Sequence, residues 1–128
     1  MSGTVLIVDD ERTLARAVKA FLLESGYEAE VAPDAEQAMG LLESLRPDVV
    51  FSDVRLPGMT GIELLRRIRE FDASIPVIIM TASHLNLIDD DRHHRGMVTD
   101  VLIKPFRPAV LIEAVAKALR SQPKISAE

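Results

Sequence analysis

Asp9-Asp10, Asp53, Thr81 and Lys104 each stand within or just past a short apolar run. Those runs are Val5-Leu6-Ile7-Val8, Val49-Val50-Phe51, Pro76-Val77-Ile78-Ile79-Met80 and Val101-Leu102-Ile103. Three carboxylates brought to one place repel one another unless a cation or a proton intervenes. Oxygen ligands without Cys or a nearby His suit a hard cation, and a few carboxylates with open positions suit Mg²⁺ better than a full calcium cage. The stretch Asp9-Asp10-Glu11-Arg12-Thr13-Leu14 lacks the glycine and spacing of a calcium-binding loop. Lys104 adds a fixed positive charge and Thr81 a hydroxyl donor. Metal, ammonium and hydroxyl together suit a phosphoryl group, whose peripheral oxygens need neutralising and positioning. A carboxylate in that setting can itself be the nucleophile and form an aspartyl-phosphate.

The elements that would position these groups follow from periodicity. Short runs rich in Val and Ile, separated by helical patterns, imply a parallel sheet covered on both faces. In such sheets ligands bind in the crevice at the carboxyl ends of the strands. Residues 11–25 carry Leu14, Ala15, Val18, Phe21 and Leu22 at helical spacing, with Gly26 as a stop. A short, partly exposed strand is expected over residues 27–32. Asp34 then reads as the N-cap of a second helix, with Gln37 three residues on, a stripe of Ala35, Ala38, Met39, Leu42 and Leu45, and Pro47 beyond its end. Ile62, Leu64, Leu65 and Ile68 mark a third helix. Pro108 opens the last one, whose inner face is Leu111, Val115, Ala118 and Leu119. Residues 84–96 lack a continuous apolar stripe, so the fourth of five helices is expected to be short or mobile. The polar, aperiodic residues 121–128 read as a loose tail or the start of a linker, after a single domain over residues 1–120.

Composition narrows the class. The chain has 128 residues, 15 Lys+Arg against 20 Asp+Glu for a formal charge of −5, and no cysteine. That excludes a disulfide framework and thiolate metal sites, fits a reducing compartment, and argues against bulk electrostatic binding of nucleic acid. No basic region precedes an apolar stretch at the start, and no run approaches the roughly 20 apolar residues needed to span a bilayer. The expectation is a soluble, cytoplasmic domain without membrane contact.

Taken singly, each polar residue has a plainer explanation. An Asp after a strand is ordinarily a cap or turn residue, a Thr in such a run a β-branched strand residue, and a Lys a solvated charge. Repetition at four strand ends favours the functional reading. His93-His94 beside Asp89-Asp90-Asp91 is better read as a solvated surface loop than as a transition-metal site, and Arg66, Arg67 and Arg69 as the charged outer face of a helix.

The stretches Val5 through Glu11, Asp48 through Gly61 (with Asp53, Arg55, Pro57 and Gly58), Ile78-Ile79-Met80-Thr81-Ala82 and Lys104-Pro105-Phe106 resemble the receiver domain of bacterial two-component response regulators. The resemblance runs from about residue 4 to residue 120. It implies an α/β, doubly wound, flavodoxin-like (CheY-like) fold: five parallel strands in the order 2-1-3-4-5, with five helices. Carried over, Asp53 is the phosphoacceptor. Asp10 is a direct Mg²⁺ ligand, Asp9 its partner directly or through water, and Asp53 and the backbone carbonyl of Arg55 complete the protein ligands. Thr81 hydrogen-bonds a phosphoryl oxygen, Ala82 leaves room for it, and Lys104 forms a salt bridge to it, often before a cis Lys-Pro bond. The implied donor is a sensor histidine kinase or a phosphotransfer protein, and the implied target an output domain or partner protein; a homodimer is left open. Such a domain is a switch that catalyses only its own phosphorylation and slow dephosphorylation.

Two departures from that pattern concern the output face. Val101 stands where these domains commonly carry Tyr or Phe, and residues 84–96 are polar where an amphipathic helix is usual, so activation is expected to change the order of that segment. Two alternatives remain. An aspartyl-phosphate phosphohydrolase would place a second acid two residues after its nucleophile, where this chain has Arg55. An unphosphorylated binding scaffold would have no need of the full set of Asp9, Asp10, Asp53, Thr81 and Lys104.

Overall fold

In the computed structural model, residues 3–82 and 99–121 are described. Five parallel strands, β1 (Thr4–Val8), β2 (Glu28–Ala32), β3 (Val49–Asp53), β4 (Val77–Thr81) and β5 (Asp100–Ile103), form one sheet in the order β2-β1-β3-β4-β5. Four helices are present among the described residues: α1 (Arg12–Glu24), α2 (Ala35–Leu45), α3 (Gly61–Phe71) and α4 (Pro108–Ser121). The helix expected over residues 84–96, the His93-His94 pair and the tail at 122–128 lie outside the described residues. None of the helices is long and apolar enough to cross a membrane among those residues.

The apolar runs are continuous because both faces of the sheet are buried, and the two-residue strand period divides each run between two cores. Val5, Ile7, Val49, Phe51, Ile78 and Met80 join α1 and α4 through Ala15, Val18, Leu22, Leu111 and Val115. Leu6, Val8, Val50, Val77 and Ile79 face α2 and α3 through Ala38, Leu42, Leu64, Leu65 and Ile68. Each large, fully buried side chain contributes about 1.5–3 kcal/mol relative to exposure. Phe21 departs from the expected inner stripe of α1: it is 37% exposed, at the edge of a face that Ala15, Val18 and Leu22 already fill.

The helix boundaries have local causes. Asp34 caps α2 as expected, its Oδ1 accepting from the Gln37 amide at 2.8 Å and its Oδ2 from Gln37 Nε2 at 3.3 Å. The C-cap of α2 is Arg46, left-handed at φ 50°, immediately before Pro47. Thr60 caps α3, accepting from the Glu63 amide at 3.0 Å.

Behind that cap, Gly61 lies hard against the end of β3. A Cβ there would sit 2.3 Å from the Asp53 carbonyl oxygen and 2.7 Å from Val54 Cα, and the Gly61 amide donates to the Val54 carbonyl at 2.8 Å. Both obstacles are backbone, so no rotamer change relieves them. Gly61→Ala is expected to lower the unfolding free energy by about 1–3 kcal/mol, the usual cost of overpacking. Urea denaturation followed by circular dichroism would check this; an unchanged midpoint would mean that the loop after Asp53 yields.

Candidate functional site

The strand order reverses between β1 and β3, because β1 connects outward to β2 and the chain then returns to the other side of β1. Their carboxyl ends therefore open a crevice with no crossover above it. Asp53 is the last residue of β3, and Asp9 and Asp10 follow β1 directly. Thr81 ends β4, and Lys104 follows β5. Backbone bonds fix the tips against one another: the Asp9 amide donates to Ala32 O at 3.1 Å, Val54 to Met80 O at 3.0 Å and Lys104 to Thr81 O at 2.8 Å.

The side chains converge accordingly. Lys104 Nζ donates to Asp53 Oδ2 at 2.8 Å and to Asp9 Oδ2 at 3.4 Å. Carboxylate oxygens of Asp9, Asp10 and Asp53 lie within 4.8 Å of one another. The remaining oxygens are oriented by the chain itself: Asp9 Oδ1 accepts from the Glu11 amide at 2.9 Å and Asp53 Oδ1 from the Arg55 amide at 3.1 Å. Asp9 is buried at 1% exposure, Asp53 is partly buried and Asp10 is exposed, so the cluster grades from core to solvent. An open cleft of about 610 Å³ lies over it, lined by Asp10, Asp53, Val54, Arg55, Leu56, Pro57, Ala82 and Lys104. Thr81 is fully buried at its strand tip, and Ala82 is the residue of that tip that reaches the cleft. The Lys104–Pro105 peptide is cis.

Burial pushes the Asp9 carboxyl above its ordinary range, with the Asp53 charge acting in the same sense; the Glu11 amide and Lys104 offset part of the rise. Burial alone would lower Lys104. Its hydrogen bond to Asp53 and the charges of Asp9 and Asp53 outweigh that, so the ammonium is held above the usual lysine range. Lys104 therefore stays charged, and the acidic cluster retains an excess of negative charge that one ammonium does not cancel.

Oxygen ligands about 2.1 Å from an octahedral Mg²⁺ lie at most about 4.2 Å apart. Three carboxylate oxygens within 4.8 Å meet that requirement after a small contraction, so the donor set and its spacing fit a hard divalent cation. The same cleft offers a half-buried carboxylate beside an ammonium, the arrangement in which a carboxylate can take up an anionic group.

Three positioning features escape the sequence patterns. Phe51 and Phe106 meet edge to face beneath the site, with centroids 5.8 Å apart and rings at 71°. Ser52 Oγ donates to the Asp53 carbonyl at 3.0 Å, and Asp48 Oδ2 accepts from the Thr4 amide at 2.8 Å, tying β3 to β1. The Phe at 106, close to a strand-end Lys, is the one signal that could have pointed to a pair. Val101 is partly buried against the α2 and α3 side of the sheet.

Known proteins are similar to this chain in sequence and fold. The family model described as response regulator receiver domain matches residues 5–116. DNA-binding response regulator MtrA of Mycobacterium tuberculosis is 34% identical over 120 residues, which cover 94% of this chain and 52% of that protein. The phosphate regulon transcriptional regulatory protein PhoB of Pseudomonas aeruginosa is 34% identical over 122 residues, 91% of this chain and 52% of its own length. This chain thus spans about half the length of the curated relatives it matches. Among solved structures, chemotaxis response regulator CheY4 of Vibrio cholerae superposes with a TM-score of 0.84 at 30% identity, covering 93% of this chain and all (100%) of that one. The receiver domain of NtrX from Brucella abortus gives 0.83 at 30% identity, covering 91% and 98%. With the strand order, the acidic triad and the bridging lysine found together, and a family match over most of its length, this chain belongs to the response regulator receiver domains.

Proposed function

We propose that Asp53 is the phosphoacceptor of this domain, that Asp9, Asp10, Asp53 and the Arg55 backbone carbonyl hold Mg²⁺, and that Thr81 and Lys104 bind the transferred phosphoryl group. The observation that carries this reading is Lys104 Nζ at 2.8 Å from Asp53 Oδ2 and 3.4 Å from Asp9 Oδ2, within a triad of carboxylates. The donor is a phosphohistidine on a sensor histidine kinase or a phosphotransfer protein.

An Asp53 oxygen attacks phosphorus while the bond from phosphorus to the donor nitrogen breaks. The bonding pair stays on the imidazole, which leaves neutral when its other nitrogen carries a proton. Lys104, already in place, moves from neutralising Asp53 to neutralising the new phosphoryl oxygens. The metal, when bound, would offset charge on the phosphoryl oxygens and on the acidic cluster. Arg55 occupies the position where a phosphohydrolase needs a carboxylate, and a guanidinium does not act as a general base at neutral pH. The acyl phosphate should therefore last long enough to signal, which supports a switch over a hydrolase or a passive scaffold.

Residues 1–120 would form the regulatory unit, with 121–128 leading away from it. The names of MtrA and PhoB point to transcriptional control as the kind of output such a unit governs in a longer protein. The domain's own charge of −5 favours action through a protein partner rather than direct contact with nucleic acid. A cytoplasmic site of action, where ATP-fuelled kinases supply phosphohistidine, is part of the same proposal.

Incubation with acetyl phosphate and Mg²⁺, followed by mapping of the trapped acyl phosphate by mass spectrometry, should place label on Asp53 and none in Asp53→Asn. Undiminished label in that variant, or label elsewhere, would refute the assignment. Lys104→Ala should remain folded by circular dichroism yet be phosphorylated about tenfold more slowly or worse, about 1.4 kcal/mol or more in barrier height. Wild-type kinetics together with a wild-type partner response would remove Lys104 from the mechanism. Mg²⁺ at about ten times its Kd should stabilise the domain by about 1.4 kcal/mol, and Asp10→Asn should reduce that gain. Because burial raises the Asp9 pKa, protons should displace the metal at a higher pH than an ordinary carboxylate would allow. In the metal-free fold the sign reverses: Asp9 costs stability above its folded pKa, and the cost is relieved as pH falls through that value. Thermal melts with and without Mg²⁺ across a pH series would test both; a Mg²⁺ effect independent of pH and of Asp10 would contradict the metal site.

A further inference from the structure

On the far side of the β1 tip from the reaction cleft, Arg12, Arg16 and Lys19 line a second recess of about 280 Å³, with Asp9, Val31 and Pro33. The three cations stand at i, i+4 and i+7 on α1, where like charges face one another and destabilise a helix. Among the described residues Arg12 and Arg16 have no ion pair, and Lys19 has only a partly exposed contact of 3.9 Å with Glu30. Arg12 also opens α1, at the end where the helix dipole favours negative charge. That turn has no acidic residue and no side-chain cap, whereas α2 and α3 each have both. In a chain of net charge −5 this is not background basicity. Glu11 precedes Arg12 at the N-cap without a side-chain cap bond, and apart from the Lys19–Glu30 contact these three cations have no ion pair among the described residues.

We propose that Arg12, Arg16 and Lys19 form a binding site for a small, multiply charged anion of the phosphate class, separate from the cleft that holds Asp53. The recess fits such a ligand because its negative member is turned away. Asp9 is 1% exposed, and its two oxygens are taken by the Glu11 amide and Lys104. Val31 and Pro33 supply an apolar wall without side-chain donors or acceptors. Three cations lining one concavity match a compact trianion such as pyrophosphate. A row of carboxylates on an acidic protein surface would be spread out and would not use the concavity.

The test is a titration of the metal-free ¹⁵N-labelled protein with inorganic pyrophosphate at low ionic strength, in parallel with hexaglutamate. Saturable one-to-one shifts centred on the amides of residues 12–19 and 31–32 are expected. The apparent Kd should rise at least tenfold in the double variant Arg12→Gln, Arg16→Gln, and steeply with salt. Phosphorylation by acetyl phosphate should be unchanged in that variant, which separates this site from the cleft over Asp53; the pyrophosphate shifts themselves do not depend on the phosphoacceptor assignment. Shifts that never saturate would reduce the recess to an ionic atmosphere and overturn the proposal. Shifts centred on Lys104, binding that survives the double variant, or saturable binding of hexaglutamate with none of pyrophosphate would each overturn it as well.

Discussion

Three carboxylates at the end of a sheet are an electrostatic liability, and the bond from Lys104 to Asp53 makes the arrangement tolerable. The partners are 51 residues apart in sequence, and Lys104 and Asp9 are 95 apart, so the contacts depend on β1, β3, β4 and β5 being paired. Every element between them serves that approach: β3 and β5 must flank β4 in register, and the loops after them must end at matching heights. The domain thus keeps a repulsive cluster in its ground state, restrained by one ammonium that stays charged because the cluster surrounds it. An added anion or divalent cation would act directly on that balance.

Much of this was legible in the sequence, for reasons that can be named. The strands were readable because burial on both faces removes polar residues from a run, as in Val77-Ile78-Ile79-Met80, leaving the tip residues conspicuous. The cap of α2 was readable because Asp34 and Gln37 carry their geometry in their spacing. The neighbourhood of Asp9, Asp53 and Lys104 could be read because strand ends in a parallel sheet share one edge, whereas the burial of Thr81 at its tip could not. Phe21 could not be read as exposed: helical periodicity defines a face, but how far that face wraps depends on the width of the groove it meets. Gly61 was visible only as a loop glycine, since its close approach to the Asp53 carbonyl is a tertiary fact.

The support around Asp53 shows how much of the site is backbone. Its carboxylate receives the Arg55 amide, its carbonyl receives the Ser52 hydroxyl, and Gly61 presses on that same carbonyl from behind. The acidic side chain is therefore held in the last residue of a strand and the first of a loop at once. The strand gives it a fixed base and the loop a route by which displacement can leave the site. Pro57 lines the cleft over Asp53 on one side of that loop and a groove with Met39 and Met59 on the other.

The edge-to-face contact of Phe51 and Phe106 sets the tolerance of the machine. Phe51 lies two residues before Asp53, and Phe106 two after Lys104, so the ring pair is a crossbar between the two chain segments that carry the opposite charges. The gap between ammonium and carboxylate inherits its accuracy from a close-packed interior, which yields by tenths of an ångström, instead of from flexible side chains, which wander by whole ones. A volume change at either ring would act as a detuning screw: it would alter the spacing of the charges above without touching a charged atom.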